Sequence, residues 1–109
     1  MDIVVTIPKR EYKNDDNETN FLEKYPDAVQ FWVLKTFPKK LSIGDRVYFV
    51  KNGCVESSMN VIRMGYEEAS KCDVTNRMWV GCAIYMNDLR YEDGMIKTKG
   101  FQGFRYKWW

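Results

Sequence analysis

The sequence predicts a mainly β, α+β fold: a small pseudobarrel of five to six mostly antiparallel strands with one or two short helices. Aromatic residues make up 16% of the 109 residues, and aromatic and β-branched side chains favour strands. Strand-like runs also outnumber the one clear helical stretch. The length suits a single domain over residues 1–109, in which a closed or nearly closed sheet leaves few exposed edges.

The N-terminal part of the chain predicts a strand, a loop and a helix. The apolar run Val4–Ile7 indicates a strand that is covered on both faces. The polar residues that follow it predict a loop. A helix is expected to begin at Asp16 or Asn17, because their short side chains can cap free backbone N–H groups. It is expected to end near Pro26, which has no N–H to donate.

The middle of the chain predicts three strands and a tight hairpin. The run 31–37 is rich in aromatic and β-branched residues, and Arg46–Lys51 has the same character. Asn52 and Gly53 both tolerate the positive φ angles of a type I′ turn. The chain is therefore expected to return as a third strand over Val55–Met64.

The C-terminal part predicts two more strands. Residues 65–75 are polar and indicate a loop or one short helix, Met78–Met86 indicates a strand, and residues 87–94 indicate a turn region. Gly103–Trp109 alternates aromatic and basic side chains, as in a strand with one buried face. The face expected to be buried, in the strand that closes the barrel, consists of Phe104, Tyr106 and Trp108.

Positive charge is concentrated in two segments, although the net charge is only +2. Phe31–Ser42 carries three lysines, Met95–Trp109 carries four cations, and neither contains an acid. Two such segments could fold into one basic face that suits a nucleic acid. An ordinary solvated surface is the alternative.

The cysteines and the absence of histidine restrict the chemistry. Cys54, Cys72 and Cys82 are widely spaced and odd in number, which favours reduced thiols. Without histidine there is no Ser–His or Cys–His pair, and a metal centre would need an uncommon ligand set. We therefore expect neither a metal nor a cofactor. Cys54 as a nucleophile, or Lys35 acting with Glu56, are the remaining catalytic possibilities.

The tryptophans have two interpretations. Those in predicted strands usually pack in a core, but a tryptophan that faces a cleft could stack on a base. Cations of the two basic segments would then contact phosphate. Gly100 and Gly103 would let a ligand approach the backbone, or would form a bend at a barrel corner. The candidate ligand-binding residues are Trp32, Lys35, Lys39, Trp79, Lys99, Gln102 and Arg105.

Two stretches resemble a known superfamily. The stretch "FPKKLSIGDRVYFVKNGCV", Phe37 to Val55, resembles the Gly-Asp-turn and strand of PUA-like domains, particularly the ASCH and EVE types, and "KGFQGFRYKW" resembles their final strand. The resemblance implies a pseudobarrel with a cleft for RNA, a modified base or a nucleotide. ASCH relatives that hydrolyse modified cytidine carry a "GxKxxxxR"-type segment, whereas this chain has "FWVLKTFPKK", without the glycine and the arginine. Asp45 and Arg46 match the turn and are interpreted as structural.

These observations favour a non-catalytic module that binds RNA, single-stranded nucleic acid or a nucleotide. A protein-interaction domain of phage or mobile-element origin, and a small amidohydrolase acting on a modified nucleoside, are the alternatives. The chain has no apolar run of about 18 residues and no basic leader. We therefore expect a cytoplasmic monomer without membrane association.

Overall fold

A computed structural model describes the backbone of residues 1–25, 27–71 and 78–109, and all of their side chains except those of residues 15, 66–71 and 78–80. A 3-10 turn, Lys9–Glu11, precedes the helix. The helix and strands are β1 (Ile3–Thr6), α1 (Tyr12–Lys24), β2 (Gln30–Leu34), β3 (Arg46–Lys51), β4 (Cys54–Lys71), β5 (Met78–Tyr91) and β6 (Phe104–Tyr106).

The six strands form one curled sheet with the order β2-β5-β4-β3-β1-β6. Only β1 and β3 are parallel, and the other neighbours are antiparallel. This half-barrel with one short helix confirms the predicted mainly β, α+β class. In the described part of the chain the sheet ends at β2 and at β6, so it remains open where a closed or nearly closed barrel was expected.

The main core lies between α1 and the inner face of the sheet, which we define as the face that α1 covers. Leu22 of α1 belongs to one cluster with buried side chains of β1, β2, β3, β4 and β5. Phe104 and Tyr106 of β6 pack against this cluster. The strand residues most deeply buried here are Ile3, Val5, Val47, Val61, Ile84 and Met86.

A second, smaller core lies on the opposite, outer face. Val4, Tyr48, Val50 and Val55 pack together there, covered by Ile96 and Phe101 from the segment between β5 and β6. As a result Ile3, Val4 and Val5 of β1 are buried on both faces of the sheet, as the apolar run predicts.

The predicted hairpin at Asn52 and Gly53 is confirmed. Their φ angles are 56° and 76°, and Lys51 pairs directly with Cys54 across the turn. The local preference of Asn-Gly for positive φ is sufficient to place this turn.

The helix begins at Tyr12, earlier than predicted, and includes polar residues for which a loop was expected. Its first turn has no side-chain cap and is held instead by the β3–β4 hairpin. The Asn52 N–H donates to Tyr12 Oη at 3.0 Å, and Lys51 Nζ lies 2.6 Å from Asp16 Oδ1. These tertiary contacts outweigh the local capping preference of Asp16 and Asn17.

Strands β4 and β5 are longer than predicted. The expectation of a loop or short helix from residue 65 is wrong as far as Lys71, because these residues pair with β5. Residues 72–75 of that predicted loop lie outside the described residues. At the other end, β5 continues through the predicted turn to Tyr91, with Asp88 at a φ of 55° beside a register shift. Backbone pairing along this hairpin overrides the polar composition.

The last strand is shorter than predicted. Phe104 and Tyr106 pack against the inner core as expected, but Trp108 is 48% exposed and contacts Phe101. The prediction that Trp108 is buried on the same face is wrong. The reason is that β6 pairs only with the short β1. The last backbone hydrogen bond between them is the one that the Lys107 N–H donates to the Asp2 carbonyl, so Trp108 lies beyond the paired region.

Asp45 ties the turn before β3 to the start of the chain. Its Oδ2 accepts hydrogen bonds from the Met1 ammonium at 2.7 Å and from the Ser42 N–H at 2.8 Å. The hydrogen bond from the ammonium has the largest effect on the pKa of Asp45 and lowers it. Burial opposes this, and the Ser42 bond and the positive charge of the ammonium lower the pKa further, so that it lies below its usual value. The position matches the structural role interpreted for Asp45.

We expect Asp45→Asn to lower the free energy of unfolding at pH 7 by about 1 kcal/mol or less, because the pair is partly exposed. A lowered folded-state pKa stabilises the protein above the unfolded pKa, about 4, and this contribution is lost as the pH falls through the folded value. The difference between the wild type and the variant should therefore shrink from pH 6 to pH 2 in urea titrations. A constant difference over that range would contradict this role of the charge.

Candidate functional site

Four aromatic rings and two cations come together on the outer face near the C-terminus. The centroid distances are 5.1 Å for Tyr48–Trp109, 5.1 Å for Trp109–Trp108 and 6.4 Å for Trp108–Phe101. We call this set the C-terminal aromatic surface; it consists of Tyr48, Phe101, Arg105, Lys107, Trp108 and Trp109.

The alternation of β6 places the cations of this surface. Because Phe104 and Tyr106 turn toward the inner core, Arg105 between them turns to the outer face. Lys107 lies on the same side, where its Nζ is 3.4 Å from Tyr48 Oη. The short strand therefore joins the core to an exposed basic surface.

Two glycines allow the chain to approach this surface. A Cβ on Gly100 would lie 3.1 Å from Thr6 Cγ2, and the next residue, Phe101, donates its N–H to Thr6 Oγ1 at 3.2 Å. Gly103 has a φ of 72°, a conformation that side chains disfavour. The local backbone therefore explains why glycine occupies both positions, in agreement with the predicted bend.

The cations are held over the rings. Arg105 Cζ lies 4.5 Å from the centroid of Phe101, and Lys107 Nζ lies 4.9 Å from that of Tyr48 and 5.3 Å from that of Trp109. Such contacts contribute about 0.5–1 kcal/mol at exposed sites. They order the side chains while leaving their charge close to solvent.

The indoles of this surface are open to solvent. Trp108 is 48% exposed and Trp109 is 40% exposed, which is unusual for side chains of this size. Lys99 and Gln102, on either side of Phe101, are also exposed. The surface therefore combines accessible aromatic rings with positive charge and, along Met95–Trp109, contains no acid.

The predicted binding residues occupy different parts of the fold. Lys99, Gln102 and Arg105 lie at or beside the C-terminal aromatic surface. Lys35 and Lys39 are exposed in the connection between β2 and β3. The side chain of Trp79 lies outside the described residues.

Trp32 does not face the same side of the sheet as Arg105. Its ring packs against the inner core, 5.6 Å from that of Phe49, whereas Arg105 turns outward. Their strands, β2 and β6, are the two edges of the open sheet. Trp32 and Arg105, which are both candidate ligand-binding residues, therefore do not line one cleft.

The two basic segments approach each other at Lys40 and Tyr106. The Lys40 N–H donates to Tyr106 Oη at 3.0 Å, and Lys40 Nζ lies 5.9 Å from the Tyr106 ring. This contact lies at the end of β6, where Tyr106 pairs with Ile3 at the start of β1. Lys99 lies near the other end of β1, because Phe101, two residues later, donates its N–H to Thr6 Oγ1.

The residues of the C-terminal aromatic surface that are absent from the predicted binding set are Tyr48, Phe101, Lys107, Trp108 and Trp109. The dense mixture of rings and cations in "KGFQGFRYKWW" is a signal for four of them. Tyr48 gives no such signal, because it lies in a strand with apolar residues on both faces. Only the packing of the C-terminal segment brings it to this surface.

A small, solvent-open groove lies between α1 and the inner face. Trp32, Gln30, Phe49 and Glu18 are among its walls, and no lysine or arginine is among its described lining residues. Among the described residues, the groove thus lacks the cations that the C-terminal aromatic surface offers to a phosphate.

The structure does not bring Lys35 and Glu56 together. Lys35 follows the end of β2, which pairs with Cys82 near the start of β5. Glu56 lies near the other end of β5, where its carbonyl accepts a hydrogen bond from the Glu92 N–H. Cys54 Sγ lies 3.6 Å from the Lys51 carbonyl oxygen. No group of three potential metal ligands is found within the described residues.

Comparison of the chain with protein-family models, with curated proteins and with solved structures gives no match. Within the described residues, no helix is both long and apolar enough to cross a membrane. The geometry of the C-terminal aromatic surface is therefore the basis for a functional hypothesis.

Proposed function

We propose that this protein is a non-catalytic module that binds single-stranded nucleic acid, in particular RNA, at the C-terminal aromatic surface. The observation that carries the proposal is the pair of exposed indoles, Trp108 and Trp109, set among the ring-held cations Arg105 and Lys107. The resemblance to ASCH and EVE-type domains implies the same class of ligand, although at a cleft.

The rings and the cations supply the two interactions that such binding needs. Stacking of a base on an exposed aromatic side chain contributes about 1–3 kcal/mol and tolerates any base. Arg105, Lys107 and the nearby Lys99 carry charge for the phosphates of the same strand. A base-paired duplex hides the faces of its bases, so the surface favours single strands.

A protein-binding surface is the second candidate. Tryptophan, tyrosine and arginine are enriched among the residues that dominate protein–protein interfaces. Four of the six residues of this surface are of these types: Tyr48, Arg105, Trp108 and Trp109. The salt dependence separates the two functions: phosphate contacts weaken steeply as salt rises, whereas capture of a protein partner should survive high salt and nuclease treatment.

We expect Trp108→Ala to weaken binding of a fluorescently labelled single-stranded RNA by roughly 5- to 100-fold, the equivalent of one lost stacking platform. Fluorescence anisotropy titrations measure this change. The folded state should survive, because about half of the side chain is already exposed.

Tyr25→Ala is the matched control. Tyr25 is another exposed ring with a cation over it, Lys24 Nζ at 5.7 Å, but it lies just beyond the end of α1. Its removal should leave RNA affinity unchanged. Equal losses in the two variants, or no measurable binding by the wild type at low salt, would reject the proposed function.

A further inference from the structure

We infer that the C-terminal aromatic surface selects strands whose neighbouring bases unstack easily, so that it binds uridine-rich RNA more tightly than adenosine-rich RNA. This inference rests on the proposed function and specifies the ligand of the same site. It follows from the angle between the two exposed indoles.

The planes of Trp108 and Trp109 are almost perpendicular. Their interplanar angle is 82° and their centroids are 5.1 Å apart. Trp109 is held by Tyr48 at 77° and by Lys107 above its ring, and Trp108 is held by Phe101 at 69°. The two platforms therefore have several neighbours that keep this orientation.

Perpendicular platforms cannot receive two bases that remain stacked on each other. Successive bases of a stacked strand are nearly parallel and about 3.4 Å apart. If one base lies on Trp108 and the next on Trp109, the strand must bend and the two bases must separate. Recognition of splayed bases on aromatic side chains is common in single-stranded RNA binding.

The energy needed to separate the bases depends on the sequence. Two adenines overlap over a larger ring area than two uracils, so separating them exposes more apolar surface to water. Preferences of this origin come from stacking strength and backbone flexibility rather than from hydrogen bonding to base edges. Uridine-rich strands should therefore bind with the smaller penalty.

The cations suit a bent strand. A bend brings neighbouring phosphates closer together, which increases their repulsion unless positive charge lies nearby. Arg105, held over Phe101, and Lys107, held between Tyr48 and Trp109, flank the two indoles. The same residues that attract the strand also reduce the cost of bending it.

The test compares uridine and adenosine homo-oligomers of equal length in anisotropy titrations with the full chain. The wild type should bind oligouridine roughly 3- to 10-fold more tightly than oligoadenosine. Trp108→Ala and Trp109→Ala each leave one platform, so both should bind more weakly and with this ratio reduced toward one. Trp108→Phe keeps a ring and should keep the preference.

The outcomes separate this inference from the proposed function. Equal affinity for the two oligomers, or tighter binding of oligoadenosine, together with a loss of binding in Trp108→Ala, overturns the inference and leaves the proposed function standing. A ratio that is unchanged in both alanine variants also overturns it. If the wild type binds neither oligomer, both the inference and the proposed function are overturned. Thermal melts of each variant establish that the compared proteins are folded.

Discussion

Replacement of Gly81 by Ala is expected to lower the free energy of unfolding by about 2–4 kcal/mol, because backbone strain and overpacking act together there. Gly81 in β5 has a φ of 139°. A Cβ at this position would lie 2.9 Å from the Leu34 carbonyl oxygen and 2.9 Å from Val33 Cγ1. Because one of these atoms belongs to the backbone, the end of β2 would have to move away from β5.

Gly65→Ala is the matched control for this prediction. Gly65 lies in β4, next to β5, and pairs with Ala83. A Cβ there would meet nothing within 4 Å, and its φ is not in the positive range. We expect this variant to equal the wild type or to be slightly more stable, since alanine restricts the unfolded chain. Urea midpoints that are the same for the two variants would show that β2 tolerates the displacement.

Combined charge reversal at Lys99 and Arg105 is expected to reduce the affinity for single-stranded RNA by roughly 10- to 100-fold at low salt, because two cations that can face phosphates become repulsive. Both side chains are exposed, so the fold should persist. The slope of log affinity against log salt should become shallower by roughly 0.7 for each phosphate contact that is lost.

The control for this variant is Lys13→Glu combined with Lys24→Glu. These two exposed lysines lie on α1, which covers the inner face of the sheet, opposite the C-terminal aromatic surface. The change in net charge is the same in both double variants. If both lose affinity equally, binding depends on overall charge rather than on this surface, and the proposed location is wrong.

The parts of the fold that the sequence predicts well are those with strong local preferences. β1 follows from a run that is apolar except for Thr6, and the β3–β4 hairpin follows from Asn52-Gly53 between two strand-like runs. The start of α1 could not be predicted in this way, because it depends on Lys51 reaching Asp16 from a distant hairpin. The extension of β4 to Lys71 has the same explanation, since its polar residues pair only with β5.

The candidate site was predictable in part. The composition of the last eleven residues points to Lys99, Gln102 and Arg105, and all three lie at or beside the C-terminal aromatic surface. Trp32 was assigned to the same site, but its ring packs on Phe49. A strand residue with an aromatic side chain has the same local pattern whether it faces a core or a ligand, so the sequence does not distinguish the two.

The amino-acid sequence by itself determined the strand-rich class, the tight hairpin and the alternation that sends Arg105 away from Phe104 and Tyr106, since each follows from conformational preferences of adjacent residues. Only the tertiary structure decided that the sheet stays open, that Trp32 and Arg105 face opposite sides, and that Tyr48 lies beside Trp109. The physical reason is that these relations depend on which strands pair and which faces bury apolar area, and both are properties of the whole chain.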